Sequence, residues 1–213
     1  MSTSEGRKTV MYAFLGLKSL LTKFTCNLKV HQAFLSCFKN LNLIDNMINP
    51  SKLQVEKLSD KNLLLTKSFD CGDQDLNEFL KDDALKHQKE RIAATYICFY
   101  EGKVVGYFSW LTDAIEINGE DKRVFKKIGM DYKTYPAVKL GRLAIDKTYA
   151  KSGVGSYLVK NLVEDAIKIS EKIGCRYLTV DAYSGAKRFY EKLNFKLPCE
   201  KGQIVSMYSD ILS

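Results

Sequence analysis

Leu143-Ala-Ile-Asp-Lys-Thr-Tyr-Ala-Lys-Ser-Gly-Val-Gly-Ser156 is the stretch on which the fold turns. Before it, Ala137 to Ile145 reads as a β-strand. After it, Gly153 to Ile173 reads as a long helix, with Val154, Leu158, Leu162, Ala166, Ile169 and Ile173 as its apolar stripe. Gly174 suits a left-handed cap, and Glu164 and Lys168 suit an i,i+4 pair. The first N–H groups of such a helix have no partner inside it and carry the positive end of its dipole. Glycines at 153 and 155 let the chain approach a phosphate closely, and Lys151 and Ser152 offer a cation and a hydroxyl. The nucleotide-triphosphate loop needs G-K-[ST], and the dinucleotide fingerprint needs a third glycine where Leu158 stands. Both are excluded; a pyrophosphate site and a plain two-glycine turn remain open.

The next strand reads as Tyr177 to Val180, so Ala137 to Asp181 forms one strand–helix–strand crossover with parallel strands. A short helix over Gly185 to Leu193 contains Ala186-Lys-Arg-Phe189-Tyr190-Glu-Lys-Leu-Asn194-Phe195, and Ile204 to Tyr208 is a last strand. At this point the sequence resembles the GNAT superfamily of acetyltransferases. That family has a [QR]-x-x-G-x-[GA] loop before its main helix and an A-x-x-F-Y-x-x-x-G-F helix after the next strand. Both occur here in order, and the resemblance spans about residues 53 to 210. Ala150 replaces the usual Gln or Arg, and Asn194 replaces the usual glycine at a place where a left-handed backbone is wanted.

The resemblance implies an α+β fold, with a central, mostly antiparallel mixed sheet flanked by helices. It implies acetyl-CoA as co-substrate, held by Leu143, Ala144, Ile145, Lys151, Ser152, Gly153, Val154, Gly155 and Ser156, and no metal. An amine would attack the thioester directly. The family places a tyrosine at the F-Y position near the thioester sulfur, so Tyr190 is the expected proton donor to the leaving thiolate. A phenol's reference pKa of about 10 keeps it protonated at neutral pH. Packing in the core is the competing role. Arg142 and Asp181 are weaker candidates for substrate contact. A surface pair for Arg142 and a cap on the last helix for Asp181 stand equally. No general base is identifiable, and an α-amine of reference pKa about 8 needs little help.

In the front half, Leu53 and Val55 begin a strand, and Asp70-Cys-Gly-Asp73 opens a helix with Leu76, Phe79, Leu80 and Ala84 on its apolar face. Ala94 to Tyr100 and Val104 to Leu111 form a hairpin around Glu101-Gly-Lys103, and residues 113 to 135 read as a polar loop. Phe69-Asp-Cys-Gly72, Leu76-Asn77, Phe79-Leu80 and Pro136-Ala-Val-Lys-Leu-Gly-Arg-Leu-Ala-Ile-Asp146 look like GNAT toxins of toxin–antitoxin pairs. Those toxins acetylate the amino group of aminoacyl-tRNA and are held by a small ribbon-helix-helix antitoxin. Lys86, Lys89, Arg91, Lys122, Arg123, Lys126, Lys127 and Lys133 would then face tRNA phosphates, unless they are simply solvated. A small-molecule or protein N-acetyltransferase, and a non-catalytic acetyl-CoA-binding module, fit the same cofactor motifs. A homodimer is compatible with each.

Composition agrees without choosing among these. The chain has 213 residues, 46% of them apolar, and a formal charge of +8. Half of that charge lies in residues 1–50, which hold six Lys/Arg against two acids. There Val10, Phe14, Leu17, Leu21, Phe24 and Leu28 recur at helical spacing among lysines. This N-terminal extension is either a basic amphipathic helix or sequence ahead of a native start at Met47; residues 51–213 are the acetyltransferase domain. No apolar run is long enough for a transmembrane helix. Six cysteines without a C-x-x-C pair, and only His31 and His87, argue against zinc and for a reducing, cytoplasmic setting. Cys98 reads as a core residue.

Overall fold

Ala94–Tyr100 and Lys103–Ile115 are rich in β-branched and aromatic residues, and they pair antiparallel as β2 and β3. Glu101 (φ 50°) and Gly102 (φ 79°) join them with both central φ angles positive, the turn whose twist matches the strands. The structure is a computed structural model describing residues 48–201 and 204–212. The amphipathic helix predicted in the N-terminal extension lies outside the described residues. The sheet and its helices belong to the compact unit Leu43–Ile211.

Around this hairpin stand β1 (Leu53–Lys57), β4 (Tyr135–Ile145), β5 (Tyr177–Tyr183), β6 (Lys196–Lys201) and β7 (Ile204–Asp210). They form one seven-stranded sheet of order β1-β2-β3-β4-β5-β7-β6. All neighbours are antiparallel except β4 and β5, the parallel pair expected from the crossover. Between β1 and β2, α1 (Gln74–Glu78) runs through a π-turn (Phe79–Asp83) into α2 (Ala84–Lys89). Asp73 caps α1 by accepting from the Leu76 N–H at 3.1 Å.

Phe79, Leu80 and Ala84 bury against Tyr107 and Ala144 on one face of the sheet. The same face carries α3 (Gly119–Lys127), whose Phe125 packs on Tyr135 and Tyr177. The other face carries α4 (Val154–Ile173). Its buried stripe is Val154, Leu158, Leu162 and Ala166, and it ends there: Ile173 is 66% exposed. Gly174 takes the expected left-handed conformation (φ 61°). Lys168 pairs with Asp165 at 3.0 Å, not with Glu164 as predicted, so the i,i+3 neighbour wins. Two more expectations are corrected. Residues 113–135 are not a loop throughout, because β3 continues to Ile115 and α3 follows. Lys196–Lys201 adds an edge strand, β6. Cys98 is fully buried, as predicted. Among the described residues no helix is long and apolar enough to cross a membrane.

Gly106 locks α4 to the sheet. A Cβ there would lie 2.9 Å from Ile145 Cδ1, 3.1 Å from the Ala144 carbonyl oxygen and 3.2 Å from Leu158 Cδ1. Gly106→Ala is therefore expected to cost about 1–3 kcal/mol by overpacking. A thermal melt should register this at roughly 2–4 °C per kcal/mol; an unchanged Tm would mean that α4 shifts freely.

Candidate active site

β4 and β5 are paired only from Ala137–Tyr177 to Leu140–Val180. Beyond that point β4 stays on β3, with Arg142 to Ile145 opposite Ser109 to Gly106. β5 stays on β7 through Tyr183. The two strands thus part as a fork. On its β5 side, the backbone of residues 141–145 has no strand partner among the described residues. At the apex β4 carries one extra residue, Gly141, where the β3 register shifts between Ser109 and Trp110. Such a bulge bends the strand and interrupts its ladder. A Cβ on Gly141 would run into the side chains of Leu111 and Ser109, so glycine suits the packing there. The predicted residues Leu143, Ala144 and Ile145 occupy the open arm.

The arm leads into the turn before α4. Lys151 (φ 61°) and Gly153 (φ 93°) both take left-handed conformations, which swing the chain around so that α4 starts at the end of the arm. The first intrahelical bond is Tyr157 N–H to the Gly153 carbonyl, at 3.0 Å. The N–H groups of Gly153, Val154, Gly155 and Ser156 therefore precede the helical ladder. Ser152 behaves otherwise than predicted. It is buried and donates its hydroxyl to the Tyr149 carbonyl at 2.6 Å, so its side chain shapes the turn. Gly155 has room for a methyl group, with Ile145 Cγ1 and Phe189 Cζ both at 3.7 Å from a Cβ.

That closeness puts α5 (Lys187–Glu191) beside the start of α4. Tyr190 is 5% exposed and is held edge-on between Phe189 and Phe195. Burial pushes its phenol well above the usual tyrosine range. Asn194 takes φ 64°, the conformation expected where the family has glycine.

Arg142 and Asp181 come together with the fork on the face that carries α1 and α3. The Arg142 guanidinium lies over the Phe79 ring at 3.7 Å and makes no ion pair among the described residues. The π-turn begins at Phe79 and brings that ring to the apex. Asp181 lies within β5 and does not cap the last helix; it pairs with Lys139 at 2.5 Å and accepts from Ser206 Oγ at 2.8 Å. Sequence reasoning missed Lys139, because one lysine in a strand carries no periodic signal.

The two toxin-like segments of the front and middle of the chain touch. Asp146 is 9% exposed and accepts from the N–H groups of Asp70 (3.1 Å) and Thr148 (2.9 Å). The Lys147 N–H donates to the Asp70 carbonyl at 2.8 Å. The Lys147 ammonium, the Gly72 N–H and Asn77 Nδ2 all donate to the Asp70 carboxylate and hold it far below the usual carboxylate range. The predicted basic surface is diluted by acids. Lys86, Lys89, Lys122, Arg123, Lys126 and Lys133 each have a carboxylate within 4.0 Å. A cavity of about 610 Å³ at the β1 edge, lined by Gln54, Leu65 and Phe99 among others, includes none of the predicted site residues.

The family model described as Acetyltransferase (GNAT) family matches residues 61–195. A "tRNA-acetylating toxin" of Mycobacterium tuberculosis (strain ATCC 25618 / H37Rv) is 24% identical over 131 residues, 61% of this chain and 77% of the relative. A solved complex of AtaT with acetyl-methionyl-tRNAfMet is similar with a TM-score of 0.66 at 27% identity, over 74% of this chain and 94% of that one. A tyrosine-to-phenylalanine mutant of the AtaT toxin, bound to the C-terminus of the antitoxin AtaR and acetyl-CoA, has a TM-score of 0.61 at 26% identity, over 75% and 94%.

Asp146 ties the fork to the front loop through the Asp70 N–H and caps its own turn through the Thr148 N–H, both partly buried. Asp146→Ala leaves two N–H groups without acceptors and is expected to cost about 1–3 kcal/mol. A urea titration should show a lower midpoint with an unchanged slope; an unchanged midpoint would mean that water replaces the carboxylate at no cost.

Proposed function

The chain belongs to the acetyltransferase (GNAT) family, and on that premise we propose that it moves acetyl from acetyl-CoA to the amino group of aminoacyl-tRNA, as a translation-blocking toxin. The observation that carries the reading is the open arm of β4 leading to the free N–H groups of α4. In this reading the pyrophosphate sits on the N–H groups of Gly153, Val154, Gly155 and Ser156, with Lys151 beside it. The pantetheine amides pair with the unpartnered backbone of Leu143, Ala144 and Ile145, as an added strand would. The thioester then lies at the bulge, where backbone N–H groups meet the charge that grows on its oxygen.

Tyr190 donates its proton to the departing thiolate. Burial favours the neutral phenol, so the donor form is present at neutral pH and is lost only at strongly alkaline pH. Residues 51–213 are the catalytic domain of this reading, acting in the cytoplasm, and a small antitoxin of ribbon-helix-helix type is its partner. The AtaT complexes with acetyl-methionyl-tRNAfMet and with AtaR and acetyl-CoA support the acceptor and the partner. The acids among the basic residues favour a second reading, in which the acceptor is a smaller amine or a peptide.

The anion cradle is best tested at Ser156. Gly153 is unsuitable because its left-handed backbone strains any side chain. The first turn of α4 holds no acid, so Ser156→Glu should hold or raise stability by about 0.3–1 kcal/mol through the helix dipole. The same charge repels the pyrophosphate, and calorimetry should show acetyl-CoA affinity falling by roughly tenfold or more. Affinity unchanged from wild type would refute the cradle.

Tyr190→Phe should lower turnover by about a hundredfold or more while acetyl-CoA affinity holds. Its assay is labelled acetyl-CoA incubated with charged and uncharged tRNA pools, and only the charged pool should be labelled by wild type. Label on a polyamine or peptide but none on charged tRNA would leave the second reading in its place. A mutant at full speed would remove Tyr190 from the mechanism.

A further inference from the structure

Lys139 and Asp181 form the ion pair that stands beside the apex of the fork. Lys139 is one position before Leu140, the last residue of β4 paired to β5, and Asp181 is one position after its partner Val180. Side chains alternate along strands. Leu111, opposite Lys139, and Ser109 both meet the space that a Gly141 Cβ would fill. Two residues earlier on β3, Tyr107 packs with Phe69 and Phe79. Lys139, Gly141 and Asp181 thus lie on the face of α1 and α3, together with Arg142 on Phe79. Tyr190 belongs to the opposite side, where Phe189 adjoins the start of α4. A group bound in the fork would therefore have the helix of Tyr190 on one side and a carboxylate on the other.

Asp181 is the carboxylate best placed for chemistry there. Asp113, on the same face, sits opposite Ala137 in the closed part of the sheet, with its oxygens engaged by Thr179 Oγ1 at 2.6 Å and the Ala114 N–H at 2.8 Å. Among the described residues Asp181, 39% exposed, accepts a hydroxyl bond from Ser206 and faces the cation Lys139, itself 25% exposed. So accessible a pair contributes little to the fold, and a second cation can compete for the same carboxylate.

We propose that Asp181 accepts the proton of the attacking amine, and that Lys139 is the counter-ion that holds the carboxylate in position until the acceptor arrives. The assignment rests on the proposed acetyl transfer and adds the missing acceptor-side group. The amine's lone pair forms the C–N bond, and the carbonyl π pair moves to oxygen. As that pair returns, the C–S bond breaks. The nitrogen's proton passes to the Asp181 carboxylate, and the thiolate takes the Tyr190 proton. The products are an amide and CoA thiol, and a proton relayed by water from Asp181 to the phenolate resets the site.

Asp181→Asn and Lys139→Gln break the same ion pair and distinguish chemistry from architecture. The assay is transfer from labelled acetyl-CoA by the full chain to charged tRNA, or to whichever polyamine or peptide amine the wild type acetylates. Melting temperature and acetyl-CoA affinity are measured alongside. Asp181→Asn is expected to lose about a hundredfold in turnover, with acetyl-CoA affinity unchanged. Lys139→Gln keeps the carboxylate and loses only its positioning, so its turnover should fall clearly less, by about tenfold. Equal losses in both variants would show a purely structural pair, and a fully active Asp181→Asn would show that water takes the proton; either result overturns the assignment. A wild type that acetylates none of these amines overturns the transfer reading and this assignment together, whereas an active wild type isolates the failure to Asp181.

Discussion

β4 is hydrogen-bonded to β3 along almost its whole length but to β5 along only four residues. That unequal partnership generates the site. A parallel pair closed to its end would satisfy its own N–H and C=O groups and leave nothing for a ligand. The extra residue Gly141 lets β4 bend away while its bonds to β3 resume at Arg142. The parted strands leave a polar backbone edge within an otherwise well-packed sheet, and an unpaired edge buried without a partner is costly. In the proposed function a co-substrate bearing amides relieves that cost, which gives affinity and orientation from the same bonds.

The rest of the molecule holds the fork open. On one side α4 is pressed to β3 and β4 through Gly106, Ile145 and Leu158, so its first turn cannot slide from the end of the arm. On the other side the Asp70 loop is stitched to Asp146 and Lys147. The stitch fixes the entry to α1, and the π-turn after it sets Phe79 beneath Arg142. The toxin-like segments at residues 69–72 and 136–146 are thus two halves of one hydrogen-bonded structure.

Charge acts in a graded way across this architecture. The start of α4 offers backbone N–H groups and a helix dipole, which cannot be neutralised by a neighbouring side chain. The predicted basic surface offers side chains instead, and there most lysines and arginines are already answered by carboxylates. A polyanion must displace those acids to gain the lysines, so its binding depends on how many exposed pairs it can open at little cost.

The sequence by itself determined the elements with strong local signals. The hairpin, the stripe of α4 as far as Ala166, its glycine cap and the two ordered motifs were all legible, because periodicity, turn chemistry and capping are written within a dozen residues. α3 was not, since none of its residues is buried and its pattern is mostly charge. Nor was β6, whose Pro198 and flanking lysines weaken any strand reading; an edge strand tolerates them because one of its sides needs no partner. Only the tertiary structure decided where β4 leaves β5, that Ser152 turns inward, that Asp146 answers Asp70, and that Lys139 faces Asp181. Each depends on groups 3 to 76 residues apart in the chain. The longest-range of these are brought together only by the register and twist of the finished sheet, and no local pattern of apolar and polar residues encodes that meeting.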